Sequence, residues 1–215
     1  MKTEYLVLFH NIPYFTIEGF KQATGLTSPH AVRMLLHRWS QAGHLLALKK
    51  GVYMTRRFYD QHRQDNDFAP AVSAILLPHS YVSLEYVLQE HNMLTEVTYP
   101  VTCVTTRNTR TIINPLGTFW YRNIRLDLYT GFVIAEYLGI RYARASLAKA
   151  LFDYLYLRPL PPSCRSPHYD LAAELRLSLD GMDEPAQAEF AAHVAFSKSK
   201  KMHDILTNFR VNKWQ

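Results

Sequence analysis

One stretch in the first quarter of the chain, residues 15–55, constrains the fold most strongly. Residues Ile17 to Thr24 have a helical pattern and end at Gly25, a residue that tolerates the left-handed conformation of a helix end. A second helix is predicted from Pro29 to Ala42, with Ser28 as its N-cap and the proline in its first turn. The apolar side chains of this helix recur at helical spacing and predict one buried face, which consists of Val32, Leu35, Leu36 and Trp39.

A β-hairpin is predicted directly after the second helix. Residues Leu45 to Lys49 and Val52 to Thr55 are strand-like, and Lys50-Gly51 between them is typical of a hairpin turn. Helix, tight turn, helix and hairpin in this order predict a winged helix-turn-helix. The segment from Pro29 to Ala42 is then the recognition helix, the one that enters the major groove of DNA.

The positive charge of the chain is concentrated in the same stretch. No Asp or Glu occurs between Glu18 and Asp60, whereas seven basic residues do: Lys21, Arg33, Arg38, Lys49, Lys50, Arg56 and Arg57. The whole chain of 215 residues has a net charge of +6, so its remainder is slightly acidic. A local positive excess is what a phosphate-binding surface requires. The alternative is a solvated basic face that binds another protein.

The predicted DNA contacts divide into base-reading and phosphate-binding residues. Arg33 and His37 share the exposed side of the recognition helix with His30 and Arg38, and arginine can make two hydrogen bonds to guanine. Ser28 lies at the helix N-terminus, where a phosphate is favoured, although simple capping also explains it. The remaining phosphate contacts are predicted on the hairpin and just after it, at Lys49, Lys50, Arg56 and Arg57.

The rest of the chain predicts a mixed domain of strands and helices. The main predicted elements are strands at Tyr99–Thr105, Gly117–Asn123 and Arg125–Gly131 and a strong helix at Arg144–Leu157. Residues 106–115 are predicted to be a turn or hairpin loop that exposes Arg107 and Arg110. We therefore expect an α+β protein, with a winged helix-turn-helix in residues 1–70 and an α/β domain with terminal helices in residues 71–215.

No residue pattern predicts catalysis, a metal or a cofactor. The sequence lacks both common glycine-rich phosphate-binding motifs, and its 10 His residues have no ligand spacing. A cryptic nuclease is an alternative, in which Asp127 and Glu136 would supply carboxylates to a magnesium ion. The lysine of a Glu-x-Lys pattern is missing after Glu136.

The same sequence predicts a cytoplasmic protein with no membrane partner. Its first apolar run is too short for a signal peptide, and no run reaches the length of a membrane-spanning helix. The two cysteines, Cys103 and Cys164, are far apart and outside any metal-binding spacing, which is typical of a reduced compartment.

Three separated blocks of the chain resemble the AbiEi antitoxins of bacterial abortive-infection systems. The first block joins the hairpin to Ser80–Glu85, the second runs from Tyr99 through Arg107 to Phe119, and the third is Ala145–Asp153. In the third block the lysine and aspartate of the family pattern Glu-Lys-Ala-Leu-Leu-Asp are present, but Ala148 stands where the family has Glu. The resemblance covers about residues 15–160.

The resemblance implies a type IV antitoxin, one that opposes its toxin without a stable complex. The implied partners are double-stranded operator DNA, through which the N-terminal domain represses its own operon, and a nucleotidyltransferase-like toxin encoded next to it. The C-terminal domain is implied in antitoxicity, for which we predict Arg107, Arg110 and Lys149. The alternative is a stand-alone transcriptional regulator whose C-terminal domain senses a ligand.

Overall fold

A computed structural model describes residues 4–94, 100–160 and 169–214 and has the α+β architecture predicted from the sequence. The helices are α1 (Ile17–Thr24), α2 (Pro29–Gln41), α3 (Arg56–His62), α4 (Phe68–Leu76), α5 (Glu85–Glu90), α6 (Leu147–Leu157), α7 (Leu171–Glu174), α8 (Glu184–Ser197) and α9 (Lys200–Asn212). The strands are β1 (Phe15–Thr16), β2 (Leu45–Lys49), β3 (Val52–Thr55), β4 (Ser80–Val82), β5 (Val101–Thr105), β6 (Arg110–Asn114), β7 (Gly117–Asn123), β8 (Phe132–Tyr137) and β9 (Ile140–Ala145). Two short 3₁₀ helices cover Glu4–Phe9 and Leu126–Leu128.

The N-terminal part is a winged helix-turn-helix. Helix α1 ends at Gly25, which adopts a left-handed conformation with φ of 70°. Helix α2 begins after Ser28, whose Oγ accepts a hydrogen bond of 3.3 Å from the backbone N–H of Ala31. Strands β2 and β3 form the predicted hairpin, and β1 adds to β3 to give a three-stranded antiparallel sheet. The cap, the helix end and both hairpin strands are therefore confirmed.

A small aromatic core holds α2 against this sheet. Val32, Leu36 and Trp39 are completely buried, whereas Leu35, predicted to lie on the same face, is only partly buried. The indole of Trp39 meets the ring of Phe20 edge to face, with 5.7 Å between the ring centroids. One side of α2 is thereby fixed, and its other side is turned to solvent.

The C-terminal part is built on a six-stranded mixed sheet in the order β6-β7-β5-β4-β9-β8. The pairs β5–β7 and β4–β9 are parallel, and the other pairs are antiparallel. Helix α4 lies on one face, where Tyr121 donates a hydrogen bond of 2.8 Å to the carbonyl of Ser73. Helix α6 lies on the other face, where Tyr81 donates one of 2.8 Å to Asp153. Helices α8 and α9 pack against α6.

Two predictions for this part are wrong. Residues 125–131 do not form a strand but contain the 3₁₀ helix Leu126–Leu128. Residues Arg110 to Asn114, predicted to lie in a loop, form the edge strand β6, because pairing with β7 supplies hydrogen-bond partners that the local sequence does not reveal. Tyr99, the first residue of a predicted strand, and Cys164, one of the two cysteines, lie outside the described residues.

The wing, which is the hairpin of β2 and β3, shares one hydrophobic core with the six-stranded sheet, the large sheet of the molecule. Leu48, Val52 and Met54 of the hairpin are buried in the same cluster as the side chains between the six-stranded sheet and its helices. Asn114, at the end of β6, also donates a hydrogen bond of 3.1 Å to the carbonyl of Leu48. The boundary predicted after residue 70 falls inside α4, a helix that packs on the large sheet.

Candidate nucleic-acid interface

The exposed side of α2 brings four of the predicted contact residues together. His30, Arg33, His37 and Arg38 are all exposed. His30, Arg33 and His37 share one face opposite the buried stripe, because residues three, four and seven apart lie on the same side of a helix. Arg38 lies farther round the exposed side, four residues after Met34. Met34, which lies among these residues, is 41% exposed. The result is a cationic surface with apolar groups, a composition that suits contact with base edges and thymine methyls.

Ser28 lies at the exposed N-terminal end of the same helix. Its hydroxyl oxygen is already engaged by the N–H of Ala31, so the structure shows the capping role directly. A phosphate at this end remains a prediction. It would use backbone N–H groups of the first turn and the positive end of the helix dipole rather than the serine oxygen.

The two lysines at the wing turn have different environments. Lys50 is exposed at the tip of the hairpin, where Gly51 adopts φ of 76° and closes the turn. Lys49 is folded back, and its Nζ donates hydrogen bonds of 2.6 and 3.2 Å to the carbonyls of Ile75 and Leu76. The structure therefore gives Lys49 a role other than the predicted phosphate contact: it satisfies carbonyls at the C-terminal end of α4. Burial lowers the pKa of Lys49.

Arg56 and Arg57 lie at the opposite end of the hairpin from Lys50. Nε of Arg56 is 3.0 Å from both carboxylate oxygens of Asp60, so this arginine is paired. Arg57 is exposed and close to His10, whose pKa is lowered by burial and, to a smaller degree, by this arginine. The predicted phosphate contacts of the hairpin are thus divided between its two ends.

The interface contains fewer unpaired cations than the sequence suggests. Lys21 pairs with Glu18 at 3.0 Å, and Arg56 and Lys49 are engaged as described. Within the part of the chain that the structure describes, no acidic group lies within ion-pair distance of the other four cations of the basic stretch, which are Arg33, Arg38, Lys50 and Arg57. Three of these four lie on α2 or at the wing tip.

Arg107 and Arg110, predicted to serve antitoxicity, are exposed, the first in the turn after β5 and the second at the start of β6. The N–H of Arg107 donates to Thr105 Oγ1 at 3.2 Å, and its charge lies close enough to Lys49 to contribute to the lowered pKa of that lysine. Arg110 begins β6, the strand that also contacts β2 of the wing. Arg107 is therefore a neighbour of the wing, whereas Arg110 lies at the opposite end of β6 from the Asn114 contact with the hairpin.

Lys149, the third residue predicted for antitoxicity, is completely buried. Its Nζ is 2.7 Å from Oδ1 of Asp153 and 2.9 Å from the carbonyl of Leu128. The other carboxylate oxygen accepts hydrogen bonds of 2.8 Å from the hydroxyls of Tyr81 and Ser83. Lys149 therefore cannot touch a partner in this fold. Burial raises the pKa of Asp153, and the ammonium opposes that change.

This buried network was missed by sequence reasoning, although a signal was present. Lys149 and Asp153 are four residues apart in an otherwise apolar helix, so both charges fall on one face that has to pack. Tyr81 and Ser83 come from a separate sequence block, Ser80–Glu85, which the sequence alone could not connect to the helix. The fold brings the two blocks into contact.

No protein-family model matches this chain, and no curated protein matches its sequence. Within residues 4–94, 100–160 and 169–214, no group of three or more His, Cys, Asp or Glu side chains could hold a metal ion. Asp127, one of the two carboxylates considered for a nuclease, is 2.9 Å from Nη2 of Arg125. None of the helices described is long and apolar enough to cross a membrane.

Proposed function

We propose that this chain is a DNA-binding antitoxin that represses its own operon and opposes a nucleotidyltransferase-like toxin. The observation that supports DNA binding is the set of unpaired cations on α2 and at the wing tip: Arg33, Arg38 and Lys50. In a helix-turn-helix module the recognition helix occupies the major groove, and cations beside it meet the phosphate backbone. Arg33 and Arg38 are exposed on α2, the proposed recognition helix, and Lys50 is exposed at the hairpin tip, where it would meet the phosphate backbone.

The proposed division of labour on DNA follows from position. Arg33 lies near the middle of the exposed face of α2, with His30 and His37 one turn to either side, so it is the residue that reads a base pair. Lys50, at the hairpin tip, binds phosphate. The proposal places the protein in the cytoplasm, with operator DNA and the toxin as partners and without a catalytic group, metal or cofactor.

Salt dependence of operator binding tests the electrostatic part. The full chain would be titrated by fluorescence anisotropy with a duplex from the region upstream of its own gene, between roughly 50 and 200 mM salt. If the three unpaired cations other than Arg33 meet phosphates, the logarithm of the affinity should fall with the logarithm of salt with a slope of about −3. A scrambled duplex is the control for sequence preference. Affinity that does not change with salt would refute DNA binding by this surface.

Substitution of Arg33 tests base reading. Arg33→Ala should cost on the order of 1–3 kcal/mol at one operator position and leave the other positions unaffected. Arg210→Ala removes the same charge from the exposed side of α9 and should change nothing. An equal loss on every duplex would show that Arg33 is a phosphate contact only.

The antitoxin part rests on the resemblance of the three sequence blocks to the AbiEi family. Co-expression of the chain with the reading frame next to it, scored by growth, tests this part. The double variant Arg107→Ala/Arg110→Ala should fold, keep operator binding and protect less well. Because Arg107 lies close to Lys49 of the hairpin, operator affinity has to be measured on the same variant. Full rescue of growth by the double variant would show that the two arginines do not serve antitoxicity. Loss of both protection and operator binding would assign them to the DNA-binding surface.

A further inference from the structure

An open cleft of about 440 Å³ lies in the C-terminal part, on the face of the large sheet that carries α6. Trp120 of β7 forms one wall. Alternation along the strand turns Phe119 and Tyr121 into the core and leaves the indole on the opposite face, where it is 44% exposed. Its neighbours on the adjacent strands are the small residues Thr102 and Thr111. A large aromatic surface is therefore open to the cleft.

Two arginines line the same cleft. Arg158, just after α6, donates a hydrogen bond of 2.6 Å to the hydroxyl of Tyr154, and its guanidinium carbon lies 5.2 Å from the centroid of that ring. Arg176 lines the cleft from the segment after α7 and adopts φ of 52°. This left-handed conformation is uncommon for a residue with a side chain, and such strain is concentrated at binding sites. The glutamates Glu85 and Glu174 complete the polar lining.

A smaller cleft of about 130 Å³ adjoins the first and shares three of its lining residues, which are Glu85, Tyr154 and Arg158. It adds Arg122, which lies two residues after Trp120 on the same face of β7. Leu84, also in its wall, has φ of 62°. An exposed aromatic ring thus shares a cleft of small-molecule size with two arginines, and Arg122 lines the adjoining cleft.

We propose that this cleft binds a nucleoside monophosphate. The base would stack on Trp120, since an exposed aromatic face binds any nucleobase. The phosphate would be held between Arg158 and Arg176, because guanidinium groups bind phosphate through paired hydrogen bonds. Glu85 accepts hydrogen bonds from sugar hydroxyls. The volume lies in the range of pockets for small ligands. This site does not depend on DNA binding by the winged helix.

Isothermal titration calorimetry on the full chain tests the proposal. The probes are the 5′-monophosphates of the four ribonucleosides, each compared with its nucleoside and with inorganic phosphate. A nucleotide should bind more tightly than either component, because the site holds both the ring and the anion. Trp120→Ala should weaken nucleotide binding by roughly fivefold to a hundredfold, and Trp120→Phe, which keeps an aromatic face, by much less.

Charge substitutions separate the anion subsite from the ring subsite. Arg158→Gln should bring the affinity for the nucleotide close to that for the nucleoside and leave the nucleoside unaffected. Arg125→Gln removes an equally exposed arginine outside the cleft and should have no effect. The proposal is overturned if no nucleotide binds at millimolar concentration or if inorganic phosphate binds as tightly as the nucleotide. It is also overturned if Trp120→Ala binds the nucleotide as tightly as the wild-type chain does and Trp120→Phe is folded. Binding of single-stranded oligonucleotides but not of mononucleotides would also overturn the proposal, because it would indicate a groove for a nucleic-acid strand.

Discussion

Lys149 and Asp153, one turn apart on α6, form an ion pair that is entirely withdrawn from solvent. The pair joins three separate elements, because the carboxylate also accepts hydrogen bonds from Tyr81 and Ser83 at the end of β4, and the ammonium donates to Leu128. Because both groups are buried and hydrogen-bonded, removal of either partner should lower the free energy of unfolding strongly. Two segments that are far apart in the sequence, Ser80–Glu85 and Ala145–Asp153, therefore meet in the core of the molecule.

Lys149→Met should destabilise the protein by about 3–5 kcal/mol, because it leaves the Asp153 carboxylate buried without its cation. Urea unfolding of the full chain measures the change. Lys200→Met, at the exposed start of α9, is the matched control and should change the free energy of unfolding by less than about 0.5 kcal/mol. A small effect in both variants would mean that the buried network contributes little to stability. Loss of antitoxicity in a Lys149 variant should accordingly follow loss of fold.

Lys49 and Lys50 are adjacent in sequence and should have opposite phenotypes. Lys50→Ala should weaken binding to all duplexes alike and flatten the salt slope by about one unit, with no change in stability. Lys49→Ala should lower stability, since it leaves the carbonyls of Ile75 and Leu76 without a donor, and should leave the salt slope unchanged. Anisotropy titrations and urea unfolding on the same two proteins decide this. A flattened slope in Lys49→Ala would restore it as a phosphate contact.

Gly131 and Gly139 differ in what surrounds them but not in backbone conformation. The φ angle is 76° at Gly131 and 79° at Gly139, so alanine is strained at either position. A Cβ at Gly131 would lie 2.7 Å from Cε1 of His193 and 3.0 Å from Cδ of Lys149, whereas a Cβ at Gly139 meets no atom within 4 Å. Gly131→Ala should therefore be the more destabilising variant, by an additional amount of about 1–3 kcal/mol from overpacking. Equal thermal unfolding of the two variants would contradict the tight contact.

His193 should make stability depend on pH below neutrality. Burial lowers its pKa, with Lys149 adding to the effect and Glu189, 3.4 Å away, opposing it. Below the ordinary value of 6.5 the unfolded chain takes up a proton before the folded chain does, so stability should fall as pH falls until the folded-state pKa is passed. His193→Gln should reduce this dependence in urea unfolding between about pH 7 and 5. A pH dependence that stays the same in His193→Gln would contradict this role of the imidazole.

Local signals in the sequence were sufficient for the winged helix. Ser28 before Pro29 marks a helix start, Gly25 a helix end and Lys50-Gly51 a hairpin turn, and each depends only on backbone preferences of the residues themselves. The exposed face of α2 follows from helical spacing alone. For these elements, prediction and structure agree to within a residue.

Features that depend on distant partners were not predictable in the same way. Strand β6 forms because β7 lies beside it, and the chain after Ile124 turns into a 3₁₀ helix that supplies a carbonyl to Lys149. The direction of the Lys49 side chain depends on the end of α4, which is more than 20 residues away in sequence. Charge counting treats every lysine as exposed, so it overestimates the binding surface.

The shared core of wing and sheet limits how this chain can evolve. Many DNA-reading modules are exchanged between proteins as self-contained cassettes joined by linkers. Here the buried faces of Leu48, Val52 and Met54 have been fitted to the sheet that follows. A gene fusion that moved residues 1–70 to a new protein would leave those side chains uncovered, so the two parts of the chain are expected to be inherited together.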